Sequence, residues 1–172
     1  MSNYFPPVLD PIAEAKRQWT AHGWEAAAPG MAAVTTIVRV NQIVMSEVEE
    51  ALAPLGLSFA RFEILRLLGF SRQGRLPMGK IGQRLQVHPA SVTSAVKRLE
   101  RDRLVRREGH PDDNRIIMAG ILPRGRSRLG AATERINAVF EGLSMSADEL
   151  DRMTDLLNRL RARAGDPVAS PR

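Results

Sequence analysis

Apolar residues recur along this chain at helical spacing, broken by turn-forming clusters. Ile12, Ala15 and Trp19 predict a short helix over residues 11–22, followed by a Gly/Ala/Pro-containing connection over 23–30. Val34, Ile37, Val44, Val48, Ala51 and Leu55, with Asn41 in step, recur every three or four residues and predict a long helix over 31–53. Pro54 and Gly56 end it. Ser58 suits the N-cap of a helix over 59–70. That helix is apolar on most sides (Phe62, Ile64, Leu65, Leu67, Leu68), which predicts a central, buried position.

Shorter elements follow a basic loop over 71–75. Pro77 suits the first position of a short helix ending near Leu85. Gln86-Val87-His88 is a three-residue turn, and Pro89 opens a helix running to about Asp102. Two helices joined so closely form a helix-turn-helix. Segments 104–108 and 115–122 read as strands around a tip over 109–114, dense in turn formers, which makes a hairpin with a long polar end, or wing. From Pro123 the helical period returns with Leu129, Ala132, Ile136, Val139, Phe140 and Leu143. Ser146 and Glu149 form a capping box ahead of a last helix whose Leu150, Met153, Leu157 and Leu160 make a heptad seam. A frayed tail is expected after Gly165. The expected fold is mainly α with a small β-hairpin wing: a winged helix-turn-helix between N- and C-terminal helices.

Composition narrows the function. The chain has 172 residues, enough for one domain with extensions, and 44% are hydrophobic. Aromatics make up 5%, so aliphatic side chains must fill the core. There is no cysteine, which excludes disulfides, thiol nucleophiles and Cys-ligated zinc and fits a reducing cytoplasm. No apolar run reaches the ~20 residues of a membrane span, and the first residues lack the charged and apolar regions of a signal peptide. The net charge of +6 is unevenly spread. Residues 71–128 hold 14 Lys and Arg against 5 Asp and Glu, whereas the rest of the chain is slightly acidic. A positive block of this kind suits an anionic partner docking on one face.

The second helix of the helix-turn-helix carries the chemistry of base reading. Val92, Val96 and Leu99 share one face and would pack on Ile81 and Leu85. The other face presents Ala90, Ser91, Thr93, Ser94, Lys97, Arg98 and Arg101. Small residues let a helix sink into the major groove, hydroxyls reach base edges, and the cations reach phosphate or guanine. His88, at the helix start, caps it or meets phosphate. The wing adds Arg106, Arg107, His110 and Arg115; a wing-tip arginine suits the narrow minor groove. A salt bridge from Arg115 to Asp112 or Asp113 is compatible with that role. The three histidines, His22, His88 and His110, are far apart, and no hydrolase, metalloprotease or phosphate-loop motif is present, so no enzyme, cofactor or metal is expected. A sequence-neutral architectural DNA binder would share the basic face and stays open as the alternative.

These residues resemble a known family. The run from Lys80 to Thr93, then Leu99-Glu100-Arg101, Leu104-Val105-Arg106-Arg107, Pro111-Asp112-Asp113-Asn114-Arg115 and Pro123-Arg124-Gly125 is similar to the MarR family of bacterial regulators. Asp113-Asn114-Arg115 matches that family's Asp-x-Arg wing motif. Two departures stand out: Ile121-Leu122 replaces the usual Leu-Thr before the helix after the wing, and Gly82 replaces the usual Ala. The resemblance implies a ligand-responsive transcription regulator, most often a repressor. It implies a homodimer on a pseudo-palindromic double-stranded DNA operator. Residues 1–57 would supply an extension and a dimerisation helix, 58–125 the DNA-binding domain, and 126–172 further dimerisation helices and a tail. The apolar stripes of the outer helices, too extensive for one subunit to cover, allow such a dimer. The resemblance also implies a site for a small aromatic or anionic effector, with candidates Trp19, Trp24, Met31, Arg39, Met45, Phe59 and Phe62. The Trp19 extension resembles the extra first helix of the urate-responsive branch.

Overall fold

The computed structural model describes residues 9–169. Seven helices and three strands follow one another: α1 Pro11–Ala21, α2 Ala28–Leu52 with a 3-10 turn Ala53–Leu55, α3 Phe59–Gly69, β1 Arg75–Pro77, α4 Met78–Leu85, α5 Pro89–Arg101, β2 Val105–His110, β3 Asp113–Ile121, α6 Pro123–Glu141 and α7 Ala147–Arg163. The winged helix-turn-helix is therefore present, mainly α with a small antiparallel sheet. The chain divides after Ile136 into two compact units. No described helix is long and apolar enough to cross a membrane.

The first unit is built on a core of Val48, Leu52, Phe62, Ile64, Leu65, Leu68, Ile81, Val92, Val96, Leu99, Val105, Ala119, Leu129, Ala132 and Ile136. The apolar faces of α3, α4 and α5 converge here, as their sequence period requires. Asp10 caps α1, its Oδ1 accepting the Ile12 and Ala13 amides. Helix α2 starts at Ala28, three residues earlier than its periodicity suggested. Pro29 lies in the first turn, where its missing N–H costs nothing. Ala28 is itself buried, which draws the chain into the helix early. Only the C-terminal end of the α2 stripe is covered: Val34, Ile37, Val38, Val40 and Ile43 are exposed, whereas Val48 and Leu52 are buried.

Ser58 occupies the N-cap position of α3 in extended conformation, but its side chain does not cap. The Phe59 amide is instead taken by Glu49 Oε1 of α2, at 3.0 Å. Arg128 of α6 donates to the Leu55 carbonyl and so holds the intervening turn.

The sheet has a strand that periodicity did not predict. Its order is β1-β3-β2, all antiparallel. β1 pairs Arg75 with Gly120, Leu76 with Ala119 and Pro77 with Met118. Pro77 is thus the end of an edge strand and the N-cap of α4 rather than its first helical residue. The wing tip is also shorter than expected: pairing continues past a bulge at Gly109/His110 to His110 and Asp113, so the turn is Pro111-Asp112.

The second unit comprises the end of α6 and α7. The Ser146–Glu149 capping box forms, and these hydrogen bonds, the Ser146 backbone N–H first, hold the Glu149 carboxyl below its ordinary range. The α7 seam is exposed at Met153, Leu157 and Leu160, as is Leu156 beside it, and Leu150 is half-buried. At the start of the tail Gly165 turns the chain, and Arg161 holds Asp166 at 2.6 Å and the Pro167 carbonyl at 3.3 Å.

Candidate nucleic-acid interface

Helix α5 is fixed at both ends. At its start, His88 Nδ1 accepts the Ala90 amide at 3.2 Å, so His88 is a cap with an exposed ring. At its end, the Asp102 carboxylate meets Arg61 of α3 at 3.3 Å and Arg101 at 3.2 Å. Between them Val92, Val96 and Leu99 are buried, and Ala90, Ser91, Thr93, Ser94, Lys97 and Arg98 are exposed, the division that the sequence predicts. Thr93 donates its hydroxyl to the Pro89 carbonyl at 3.0 Å, which leaves its methyl and its oxygen lone pairs to face outward. Lys97 and Arg98 have no ion-pair partner among the described residues. Ala90, Ser91, Ser94 and Arg98 border an open cleft of about 470 Å³ with Ser58 and Arg61 of α3. Bare cations beside small hydroxyl-bearing residues make this face suited to a polyanion whose edges carry donors and acceptors.

The wing divides its arginines between two tasks. Arg115 is 90% exposed along its side chain, and Asp113 grips it twice, Nε and Nη2 each lying 3.0 Å from a carboxylate oxygen. Asp113 also accepts the Arg115 amide at 3.0 Å. These bonds from the Arg115 side chain, then its amide, hold the Asp113 carboxyl below its ordinary range and raise the Arg115 guanidinium. The pair holds a charged, exposed guanidinium beside the hairpin turn. Arg107, by contrast, is turned inward to α5: it meets Glu100 at 2.6 Å, and its own amide donates to the same carboxylate at 3.1 Å. Arg107 therefore braces the wing against the helix. His110 Nδ1 accepts the Asp112 amide at 3.2 Å and shapes the tip.

Among the effector candidates, Trp19 meets Trp24 edge-on at 5.4 Å, with His22 stacked on Trp24 at 5.6 Å. Phe59 and Phe62 stack at 6.3 Å, and Phe62 is in the core. Met31 and Met45 are half-buried on α2. Arg39 borders a cleft of about 540 Å³ between the start of α1 and the middle of α2, with Asp10, Ile12, Thr35, Val38 and Gln42. Sequence reasoning missed Glu49 and Arg61, which position α3 and α5. Neither breaks a periodic pattern, so neither gave a signal.

The MarR family model matches residues 57–117, the helix-turn-helix and most of the wing. The crystal structure of Sco5413, a MarR family transcriptional regulator from Streptomyces coelicolor, is 44% identical, spans 82% of this chain and 99% of its own, and superposes with a TM-score of 0.72. The chain belongs to the MarR family of transcriptional regulators. The repressor YetL of Bacillus subtilis (strain 168) is 32% identical over 119 residues, 67% of this chain and 70% of its own. Sco3205, also a MarR family transcriptional regulator from Streptomyces coelicolor, was solved in complex with DNA. At 19% identity over 78% of this chain and 90% of its own, and a TM-score of 0.72, it shares the fold. The MarR family and these relatives are regulators rather than enzymes.

Proposed function

We propose that this MarR protein is a repressor that binds a pseudo-palindromic operator as a homodimer, with α5 in the major groove and Arg115 in the adjacent minor groove. The observation that carries this reading is the exposed face of α5, from Ala90 to Arg98, with Lys97 and Arg98 free of ion pairs among the described residues. Arg115, held out by Asp113, supplies the second contact. The exposed stripes on α2 (Val34, Ile37, Val38) and α7 (Leu156, Leu157, Leu160) support a partner subunit that covers them. Two such subunits place their reading helices about one helical turn apart. That repression is the outcome is supported by YetL, a repressor. The Arg39 cleft suits a small aromatic or anionic effector, and a cytoplasmic location follows from the target.

Selection of bound duplexes from a random pool tests the proposal. A two-fold symmetric consensus is expected, with binding to the selected duplex tighter than to random duplex at every salt concentration. Equal affinity for both would overturn it in favour of architectural binding. Repeating the selection with phenolic and purine compounds tests release by an effector.

A further inference from the structure

We propose that the outer face of the wing sheet is a second duplex-binding surface, which takes phosphates of the DNA flanking the operator core. The inference rests on the DNA-binding reading and extends it to a face that α5 does not share. In the sheet register Arg75 and Arg106 lie across from one another on either side of Gly120. Gly120 puts no side chain between them: a Cβ there would stand 3.6 Å from Arg75 Cβ and 3.9 Å from Arg106 Nε. The two guanidinia share a single carboxylate, Glu108, at 3.5 Å and 3.1 Å. One negative charge fixes two positive ones and leaves the cluster cationic.

Phosphate is the chemistry this face fits. Guanidinium forks held on paired strands match phosphate oxygens bidentately. Met118, opposite Glu108, is buried, so the patch offers charge without the apolar centre that a protein partner needs. The patch continues the wing. Gly120 lies five residues along β3 from Arg115, so the patch and the wing-tip arginine share one hairpin. Flanking duplex that bends around that hairpin brings its phosphates to this face.

Two duplexes test this on the full-length protein: the operator core alone, and the core with about one helical turn of unrelated sequence on each side. Wild type is expected to bind the longer duplex about 10-fold tighter at low salt, with a salt slope steeper by about 2 to 3. The R75Q/R106Q double variant removes only the surface pairs to Glu108, each worth little, and is expected to melt close to wild type. It should bind the core as wild type does, but lose most of the gain from the flanks. Equal wild-type affinity for both duplexes would overturn the proposal, as would a gain that survives in the variant. A flank-independent affinity combined with patch-dependent binding of a polyglutamate peptide would overturn it in favour of an acidic protein partner. Failure of wild type to bind even the core would overturn the underlying DNA-binding reading as well.

Discussion

Glu49 of α2 accepts the amide of Phe59, ten residues further on, at 3.0 Å. The first N–H of the central helix is thus satisfied from a different helix, although a serine occupies the position where a local cap is expected. The contact links the helix with the exposed apolar stripe to the helix that supports α5. Glu49→Ala should destabilise the protein by about 1 kcal/mol, the usual value of a lost cap. Glu49→Gln keeps an acceptor oxygen and should recover most of that loss. Urea denaturation checks both; an alanine variant as stable as wild type would show that the cap contributes nothing.

Arg115 and Asp113 act together. Arg115→Ala should weaken operator binding by about 1–3 kcal/mol and leave thermal stability unchanged. Asp113→Ala should weaken binding less, because the guanidinium remains but loses its orientation. Fluorescence anisotropy with a labelled operator measures both effects, and an unaffected affinity in Arg115→Ala would place the wing outside the groove.

Arg107 is a brace, and its effect should run through Glu100. Each alanine variant alone should loosen the wing, and the double variant should be little worse than either, so that a double-mutant cycle reports coupling. The Arg107 guanidinium holds the Glu100 carboxyl below its ordinary value of 4.5. Because the folded-state value is depressed, the contribution is complete above the ordinary carboxylate pKa and disappears as the pH falls through the lowered one. Acid titration followed by amide exchange in β2 should show the wing loosening in that lower range, with the effect absent from Arg107→Ala. Loosening at the same pH in both proteins would separate it from this pair.

Two glycines should respond in opposite ways to alanine. A methyl at Gly82 would stand 3.4 Å from the Val87 carbonyl oxygen and 3.6 Å from Val92, ordinary contacts in a helix interior. Gly82→Ala should therefore stabilise the fold by about 0.5–1 kcal/mol. At Gly125 the methyl would overlap the Leu104 carbonyl, which is backbone and has little room to yield. Gly125→Ala should cost about 1–3 kcal/mol, as over-packing does. Differential scanning calorimetry of the pair tests both signs.

In the proposed homodimer α7 carries the exposed seam, so removal of the residues after Glu141 should give a monomer. Sedimentation equilibrium distinguishes the outcomes, and a dimer of normal affinity would locate the interface elsewhere. Leu156→Asp combined with Leu160→Asp, which keeps the helix, should give the same result.

Local pattern along the chain was enough for the helices, the helix-turn-helix, the hairpin and the exposed polar face of α5. Each of these rests on local information: a period of 3.6 or 2, a capping residue, a proline or a cluster of turn formers. The division of α5 into buried Val92, Val96 and Leu99 and an exposed polar face needed nothing beyond that period. Tertiary structure decided what depends on residues distant in the chain. β1 is three residues long and ends in proline, so no alternation could reveal it; pairing with β3 makes it a strand. The identity of the α3 cap, the inward turn of Arg107 to Glu100 and the sharing of Glu108 by Arg75 and Arg106 depend on which charges the fold brings within about 3 Å. Spacing along the sequence does not specify such distances, because a charged side chain on an amphipathic element satisfies the pattern equally well whether it is free, capping or paired.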